Sequence, residues 1–251
     1  MGHVEWTEFV LVDEVPAPGH IAHSIDSWAE PAGGGAVMAV QTARLAGGCD
    51  FFTGLGDDEL GHRSLERLTA LGVTVHAEWF EATRRALTHV DRDGERTITT
   101  IGPKLRPHGP LPLDGLDSVF FVAGEPEAVR SARGARFLAA TAREVPTLLE
   151  AGVRLDLLVG SGNDPGEVYE GGLDVGVLVK TDGARGGAAN GRRYEATPLT
   201  GPIADTYGAG DTFGATLCFA LARGDDLGDA LALAARESAA VLGLRGPYRG
   251  T

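Results

Sequence analysis

The residues best suited to chemistry stand together at positions 205–214, which read Asp-Thr-Tyr-Gly-Ala-Gly-Asp-Thr-Phe-Gly. Gly208, Ala209 and Gly210 are small, so the backbone there can approach a ligand and direct successive N–H groups towards it. The apolar, Ala- and Leu-rich run at 215–222 predicts a helix that begins near these residues. Because a helix N-terminus carries partial positive charge, the segment predicts an anion-binding site.

Asp211 lies inside this predicted site. Its carboxylate would repel a bound phosphate, so the residue needs either a capping role or a chemical one. The chemical role is that of a general base, which takes a proton from an alcohol while the alcohol attacks a phosphoryl group. The alternative is an ordinary tight turn followed by an acidic residue in the first turn of a helix. Both interpretations fit residues 208–211.

The longer string Asp-Thr-x-Gly-Ala-Gly-Asp-x-Phe, before a helix late in the chain, resembles the signature of the ribokinase-like, or PfkB, family of carbohydrate and nucleoside kinases. The resemblance implies ATP as the phosphoryl donor, Mg²⁺ bridging its phosphates, and Asp211 as the base. It also implies that Thr206 contacts the nucleotide and that a potassium site lies beside Asp205. Members of this family often pair through a small β lid, which implies a homodimer.

Three further segments match the pattern of this family in the right order along the chain. The turn Gly33-Gly34-Gly35-Ala36 before a predicted helix resembles the first signature, in which glycine amides meet the hydroxyls of a sugar. The segment from Gly54 to Gly61 resembles the one that follows. Two residues near the start, Glu5 and Thr7, fall near the substrate-contacting positions of the family. The alternatives are an ordinary turn at each glycine segment and a solvated surface charge at Glu5.

The third segment, Thr181-Asp-Gly183-Ala-Arg-Gly186, is similar to the Thr-x-Gly-x-x-Gly segment that lines the nucleotide phosphates in this family. The resemblance implies that Thr181, Gly183 and Gly186 bind ATP, and the alternative is a hairpin turn. Upstream, where the family has Asn-x-x-Glu to organise the magnesium-bound phosphates, this chain has Asn163 with its glutamate four residues later. Asp164 and Glu167 are therefore the predicted metal ligands, with Asn163 assigned to the nucleotide.

Two other departures from the family pattern concern the acceptor site. Val37 stands where the first signature usually has Asn, which removes one expected contact to the sugar. The chain also begins, at Met1-Gly2-His3, where the first core strand of the family should finish. We therefore expect either a start upstream or a sheet that lacks one strand.

The composition, 43% hydrophobic and 23% charged in 251 residues, is typical of a globular protein and is enough for one α/β domain with a small appendage. The formal net charge of −13 opposes nonspecific binding to nucleic acid or to an anionic membrane. Cys49 and Cys218 lie in apolar segments, which predicts small buried side chains rather than a disulfide or zinc site. No secretory signal or membrane span is predicted, so we expect a cytoplasmic protein.

Apolar strands alternate with helices, which predicts a three-layer α/β fold with a mostly parallel central sheet. One domain, 1–251, is predicted, with residues 9–28 as a small β lid and a hairpin over 86–101 as a second candidate for that lid. The proline-rich loop at 102–114 carries Lys104 and Arg106, which either meet an anionic group of the acceptor or are solvated charges. Helices are predicted over 36–46, 60–71, 127–142, 208–223 and 227–242, and strands over 49–55, 118–123, 155–160 and 175–180.

These features predict transfer of the γ-phosphoryl group of ATP to a primary hydroxyl of a sugar or sugar-like polyol, with Asp211 as base. The 208–210 amides would stabilise the charge on the phosphoryl oxygens. If the protein is a kinase, the alternative acceptor is a nucleoside. If it is not an active kinase, the alternative is a degenerate member of the family, which binds sugar or nucleotide without turnover.

Overall fold

The computed structural model describes residues 1–248 as an α/β structure. Its helices are α1 Gly34–Ala46, α2 Glu59–Ala70, α3 Pro126–Ala132, α4 Val145–Ala151, α5 Ala209–Ala222 and α6 Leu227–Val241. Its strands are β1 Gly2–His3, β2 Glu5–Leu11, β3 Asp26–Ala32, β4 Cys49–Gly56, β5 Val73–Phe80, β6 Arg85–Val90, β7 Arg96–Ile101, β8 Ser118–Phe121, β9 Phe137–Thr141, β10 Leu155–Ser161, β11 Val175–Thr181, β12 Gly187–Ala189 and β13 Arg192–Tyr194.

The central sheet is parallel except at one edge. Strands β1, β4 and β5 form one parallel set, and β8 to β11 form another, to which β12 and β13 add antiparallel strands. Hydrogen bonds of Met1 connect the two sets, because its amino group donates to the Phe120 carbonyl at 2.9 Å and its carbonyl accepts from Val122 N–H at 3.0 Å. The predicted mostly parallel sheet is confirmed.

The first core strand is present but short. Strand β1 has two residues and pairs with β4 in parallel, at the place where a missing strand was one of two expectations. The expectation of a sheet that lacks this strand is therefore wrong for the described chain. Gly2 and Gly35 allow the close packing, since a Cβ built on Gly2 would lie 2.7 Å from the Gly35 Cα.

Helices cover both faces of the sheet, which gives three layers. Along β9, Leu138 and Ala140 pack in the cluster that contains α3 and α4, whereas Ala139 packs in the cluster that contains α5 and α6. Successive side chains of a strand point to opposite faces, so both faces are buried. The predicted three-layer α/β fold is confirmed.

Four strands form a second sheet, here called the lid sheet, in the order β3-β2-β6-β7. Strand β2 pairs antiparallel with β3 and parallel with β6, and β6 and β7 form the hairpin predicted from Asp93-Gly94. The lid sheet contains parts of both predicted lid segments. Within the predicted lid segment 9–28, strand β3 begins only at Asp26, and residues 14–25 are mostly exposed and lack strand pairing.

The helix predicted over 127–142 is wrong beyond Ala132. Helix α3 ends there, and Phe137–Thr141 forms strand β9 between β8 and β10. Its apolar sequence, Phe-Leu-Ala-Ala-Thr, suits a buried strand and a buried helix equally, so packing between two strands decides the outcome. Gly134, in the tight turn between the two elements, is the stop signal that the sequence offered.

Within the described residues, none of the helices combines the length and the apolar character that a membrane crossing requires. Both cysteines are free thiols; Cys218 is buried, as predicted, whereas Cys49 is only half-buried.

Candidate active site

The predicted site residues gather where the parallel strands end and where α1 and α5 begin. Gly208 is the residue before α5 and has φ 78°, a left-handed conformation that glycine adopts without strain. The helix starts at once, with Thr212 N–H donating to the Gly208 carbonyl at 2.8 Å. Ala209, Gly210 and Asp211 therefore occupy the first turn, where backbone N–H groups lack partners within the helix.

Asp211 lies against the glycine turn, residues 33–35. A Cβ built on Gly34 would be 2.8 Å from Asp211 Oδ1 and 3.3 Å from Val122 Cγ1. Only a glycine leaves room for the carboxylate at this position. The first and last glycine motifs of the sequence, nearly two hundred residues apart, thus form one site.

Burial changes the acidity of Asp211. Desolvation raises its pKa to about 6, the Arg96 and Arg143 guanidiniums oppose that shift, and the carboxylates of Glu167 and Glu5 add to it. A base with a pKa near the operating pH is well matched to proton transfer. The group can therefore hold a proton taken from an alcohol more readily than an exposed aspartate can.

Tyr207 joins the two glycine motifs through its side chain. Its hydroxyl accepts a hydrogen bond from Gly33 N–H at 2.9 Å, and its own N–H donates to Asp205 Oδ1 at 2.8 Å. The other Asp205 oxygen accepts from Gly246 N–H at 3.2 Å, and the residue is 2% exposed. Asp205 therefore fixes the backbone that leads into the 208–211 loop.

Val37, the departure from the expected asparagine, has a packing role. It is 1% exposed, and its Cγ1 would lie 3.1 Å from a Cβ on Gly208. The valine thus supports the loop before α5 from α1. Val37 therefore packs in the core and makes no polar contact with a ligand.

Glu5 is a buried, paired carboxylate. It is 5% exposed, its Oε1 accepts from Arg84 Nε at 2.6 Å, and the same oxygen lies 3.7 Å from His3 Nε2. The alternative of a solvated surface charge is wrong. Thr7, in the same strand, is fully buried. Both residues lie in the lid sheet close to the glycine turn, since a Cβ on Gly33 would be 3.3 Å from Glu5 Cγ.

His3 is neutral in this environment. Burial first, and then the positive charges of Lys104, Arg84 and Arg106, together lower its pKa to about 3. Its Nδ1 is buried without a hydrogen-bond partner in the part of the chain that the structure describes. The neutral imidazole beside Gly33 therefore keeps one ring nitrogen without a partner from the described residues.

Lys104 and Arg106 are not freely solvated, contrary to one of the two expectations for them. Lys104 Nζ lies 2.9 Å from Glu144 Oε1 and Arg106 lies 3.6 Å from Glu144 Oε2, with Glu144 itself 3% exposed. Between them Leu105 is buried, and a Cβ on Gly54 would be 2.8 Å from the Leu105 Cβ. The proline-rich loop is therefore anchored over the end of β4.

The predicted nucleotide-binding segment, residues 181–186, forms the turn between the antiparallel strands β11 and β12. This position fits the hairpin alternative as well. Gly183 and Gly186 have φ of 55° and 79°. Asn163 donates its side-chain amide to Asp182 at 3.2 Å, and Gly162 N–H donates to the Thr181 carbonyl at 2.8 Å. These bonds bring the two predicted nucleotide segments together at adjacent strand ends.

The two predicted metal ligands share one arginine. Arg143 pairs with Asp164 and lies 3.0 Å from Glu167 Oε1, while the remaining oxygens accept from Gly166 N–H at 2.8 Å and from Ser161 N–H at 2.7 Å. Each carboxylate oxygen thus has a donor from the protein. Among residues 1–248, no group of three or more His, Cys, Asp or Glu side chains is arranged to hold a metal ion.

Thr206 connects the lid sheet to the 208–211 loop. Its N–H donates to the Gly94 carbonyl at 2.9 Å, and Arg96 donates to its carbonyl at 3.0 Å and to its Oγ1 at 3.1 Å. The tip of the β6–β7 hairpin therefore rests on the loop before α5. Thr206 was predicted to contact a nucleotide. Its N–H, its carbonyl and its hydroxyl are instead hydrogen-bonded to Gly94 and Arg96 of the β6–β7 hairpin.

Several residues of the candidate site were not predicted from the sequence, namely His3, Arg84, Arg96, Arg143 and Tyr207. Arg143 follows β9, which was predicted as helix, so its position at a strand end was hidden. The others reach the site through contacts between distant segments. A polar or aromatic residue next to a recognised glycine motif, as Tyr207 is, was the one local signal available.

Comparisons with known proteins give matches only at the level of structure. No model of a protein family matches this sequence, and no curated protein matches it. The ribokinase of Cryptococcus neoformans var. grubii serotype A, in complex with ADP, superposes with a TM-score of 0.75 at 22% identity, over 98% of this chain and 92% of that one. A nucleoside kinase of Methanocaldococcus jannaschii gives 0.74 at 18%, over 98% and 91%.

The ribokinase of Arabidopsis thaliana, complexed with ribose and ATP, gives a TM-score of 0.65 at 20% identity, over 98% of this chain and 92% of that one. Identities this low establish a shared fold. The likeness spans nearly the whole chain, the central sheet and the lid sheet included. The protein has the ribokinase-like fold that its glycine motifs predicted.

Proposed function

We propose that the protein is an ATP-dependent kinase that phosphorylates a primary hydroxyl of a sugar or sugar-like acceptor. The observation that carries the proposal is the position of Asp211, in the first turn of α5, against Gly34, with its pKa raised to about 6 by burial. A carboxylate of this acidity in the first turn of a helix, whose N–H groups favour anions, supports the role of a base beside a bound phosphate. The fold it shares with ribokinases supports the same conclusion.

In this proposal the chain performs three tasks. Asp211 accepts the proton of the attacking hydroxyl, and the N–H groups of Gly208, Ala209 and Gly210 stabilise charge on the transferred phosphoryl oxygens. Thr181, Gly183, Gly186 and Asn163 hold the nucleotide phosphates at the ends of β10 and β11. The glycine turn and Glu5 hold the acceptor under the lid sheet, which excludes water.

Magnesium is proposed to enter with ATP, where it neutralises phosphate charge. Because every oxygen of Asp164 and Glu167 already accepts from the protein, these carboxylates fit contacts to the ion's water shell better than direct coordination. Arg143 holds both side chains in place for that role. The potassium site beside Asp205, the homodimer and a cytoplasmic location stay predictions.

A nucleoside acceptor is the second candidate, favoured by the nucleoside kinase among the similar structures. A protein that binds its ligands without turnover is the third. The position of Asp211 in the first turn of α5, against Gly34, favours a catalytic site over this third candidate.

The test is ADP release with ATP and Mg²⁺ across sugars, polyols, sugar acids and nucleosides. Asp211→Asn is expected to lower kcat by about 10²- to 10⁴-fold, the usual contribution of a general base, while ATP still binds. Asp225→Asn is the matched control, because Asp225 follows the other end of α5 and pairs with Arg223. Unchanged turnover in the Asp211 variant would refute the base role. ATP binding without ADP release from any acceptor would favour the non-catalytic candidate.

A further inference from the structure

Three cations meet two carboxylates on the acceptor side of the site. Arg84 pairs with Glu5, and Lys104 and Arg106 both approach Glu144. We call Arg84, Lys104 and Arg106 the basic cluster. One positive charge therefore remains in excess, in a chain whose formal net charge is −13. The neutral His3 adds no positive charge to this count.

Arg106 supplies the unused donors of this cluster. Its guanidinium stays 3.6 Å from Glu144, and it donates no hydrogen bond to any residue among positions 1–248. Its side chain is 34% exposed, so it borders open space. A guanidinium has five N–H donors in a planar fork, which matches a carboxylate or a phosphate.

The loop holds these groups in a fixed direction. Residues 104–107 alternate between half-buried and buried, with Leu105 and Pro107 inward and with Lys104 and Arg106 on the other side. Glu144, 3% exposed, accepts from Lys104 and lies 3.6 Å from Arg106, so one buried carboxylate holds both cations. The arrangement is therefore preorganised, which lowers the entropy cost of binding an anion.

A line of contacts connects the basic cluster to Asp211. Gly34 lies against the Asp211 carboxylate, Gly33 follows, and a Cβ on Gly33 would be 3.2 Å from the His3 ring. The next groups along are Glu5, 3.7 Å from His3, and its partner Arg84. The glycine turn, His3 and Glu5 thus lie between Asp211 and Arg84.

We propose that the acceptor carries an anionic group, a carboxylate or a phosphate, bound by Arg106 with Lys104 and Arg84 at the end remote from the hydroxyl at Asp211. The inference rests on the proposed kinase function and narrows its substrate class. The positive charges that act on His3 support it, because they show that the field of the cluster reaches the glycine turn.

The competing explanation is that the cluster only neutralises Glu5 and Glu144. Two cations would suffice for that, and Arg106 would then contribute to folding alone. In that case the Arg106→Gln substitution would change stability and leave the preference between charged and neutral ligands as it was. Discrimination between paired ligands is therefore the informative readout.

The experiment uses two pairs of probes, D-gluconate with D-gluconamide and fructose 6-phosphate with fructose. Calorimetry gives the Kd of each for the full chain with a nonhydrolysable ATP analogue present, and ADP release gives KM and kcat. We expect the anionic member of at least one pair to bind at least tenfold more tightly. Arg106→Gln is expected to remove about tenfold to a hundredfold of that preference, mainly through KM.

Arg136→Gln is the matched control, because Arg136 pairs with Asp117 in an exposed position just before β9, away from the strand ends that form the site. Equal Kd values within both pairs, or an unchanged preference in Arg106→Gln, would overturn the inference. Tight binding of an anionic probe without ADP release would uphold it and count against the kinase function instead. The pair that discriminates identifies carboxylate or phosphate as the recognised group.

Discussion

The hydroxyl of Tyr207 accepts a hydrogen bond from the N–H of Gly33 at 2.9 Å, across 174 positions of sequence. The bond joins the loop that carries Asp211, the proposed base, to the glycine turn that is proposed to hold the acceptor. It also occupies the Gly33 amide, which is then not offered to a ligand. The relative position of Asp211 and the glycine turn therefore depends on the phenol of Tyr207.

Tyr207→Phe tests this link. The substitution leaves a buried N–H without a partner, which costs about 1–3 kcal/mol and lets the glycine turn shift. We expect a lower free energy of unfolding and a higher KM for the acceptor, with KM for ATP nearly unchanged. Tyr169→Phe, which removes a hydroxyl bonded to Leu173, is the control. Equal effects of the two variants on the acceptor KM would contradict the positioning role.

Asp211→Asn should stabilise the protein at neutral pH. The folded-state pKa of about 6 lies above the ordinary value of 3.8, so the folded protein loses stability as the pH rises through that interval. At about pH 7 the ionised Asp211 therefore lowers the free energy of unfolding by on the order of 1–3 kcal/mol. Asparagine carries no charge and does not have this cost. Urea unfolding at about pH 7 and about pH 3.5 measures this. A gain at neutral pH that vanishes in acid is expected, and a loss at neutral pH would contradict it.

The pH dependence of kcat/KM should follow the same carboxyl group. Activity is expected to rise as the pH passes about 6 and to level off above it, because the base acts deprotonated. Arg96 lowers the pKa of Asp211, so Arg96→Gln should move this inflection upwards by about half a unit to one unit. Arg85→Gln is the control, since Arg85 pairs with Glu8 on the exposed part of the lid sheet. A downward shift would contradict the assignment of the base.

Gly34→Ala should impair the chemical step more than the fold. The added Cβ would lie 2.8 Å from the Asp211 carboxylate and displace it, while the backbone of Gly34 is not in the left-handed region. We expect kcat to fall at least about tenfold, as misplacement of a reacting group by an ångström suffices for that. Gly48→Ala, where no atom lies within 4 Å, is the control. Full activity of the Gly34 variant would show that the carboxylate can move without loss.

Local sequence was enough to predict the parts of the site built from glycine motifs. Gly208 and Gly33 stand in left-handed conformations that few other residues adopt, so residue type alone identified both loops. The fold class followed from apolar strands that alternate with helices. The β6–β7 hairpin followed from Asp93-Gly94 between β-rich arms.

The ion pairs of the site join distant segments of the chain, so no local sequence pattern predicts them. Glu5 pairs with Arg84 and Arg143 with Glu167, each across more than twenty positions. Strand β9 was predicted as helix because its apolar run has no periodicity that distinguishes a buried helix from a buried strand. Without its place at a strand end, Arg143 had no visible connection to the site.

Single residues link the lid sheet to the central fold at two neighbouring points. Val4 alone separates β1 from β2, and Gly33 alone separates β3 from α1, while Glu5 and Ala32 pair beside them. One residue spans about 3.8 Å, so neither strand can translate away from the core. A rotation of β2 and β3 about these two links would displace Leu11 and Asp26, at the far ends of the strands, more than Glu5 and Ala32 beside the links.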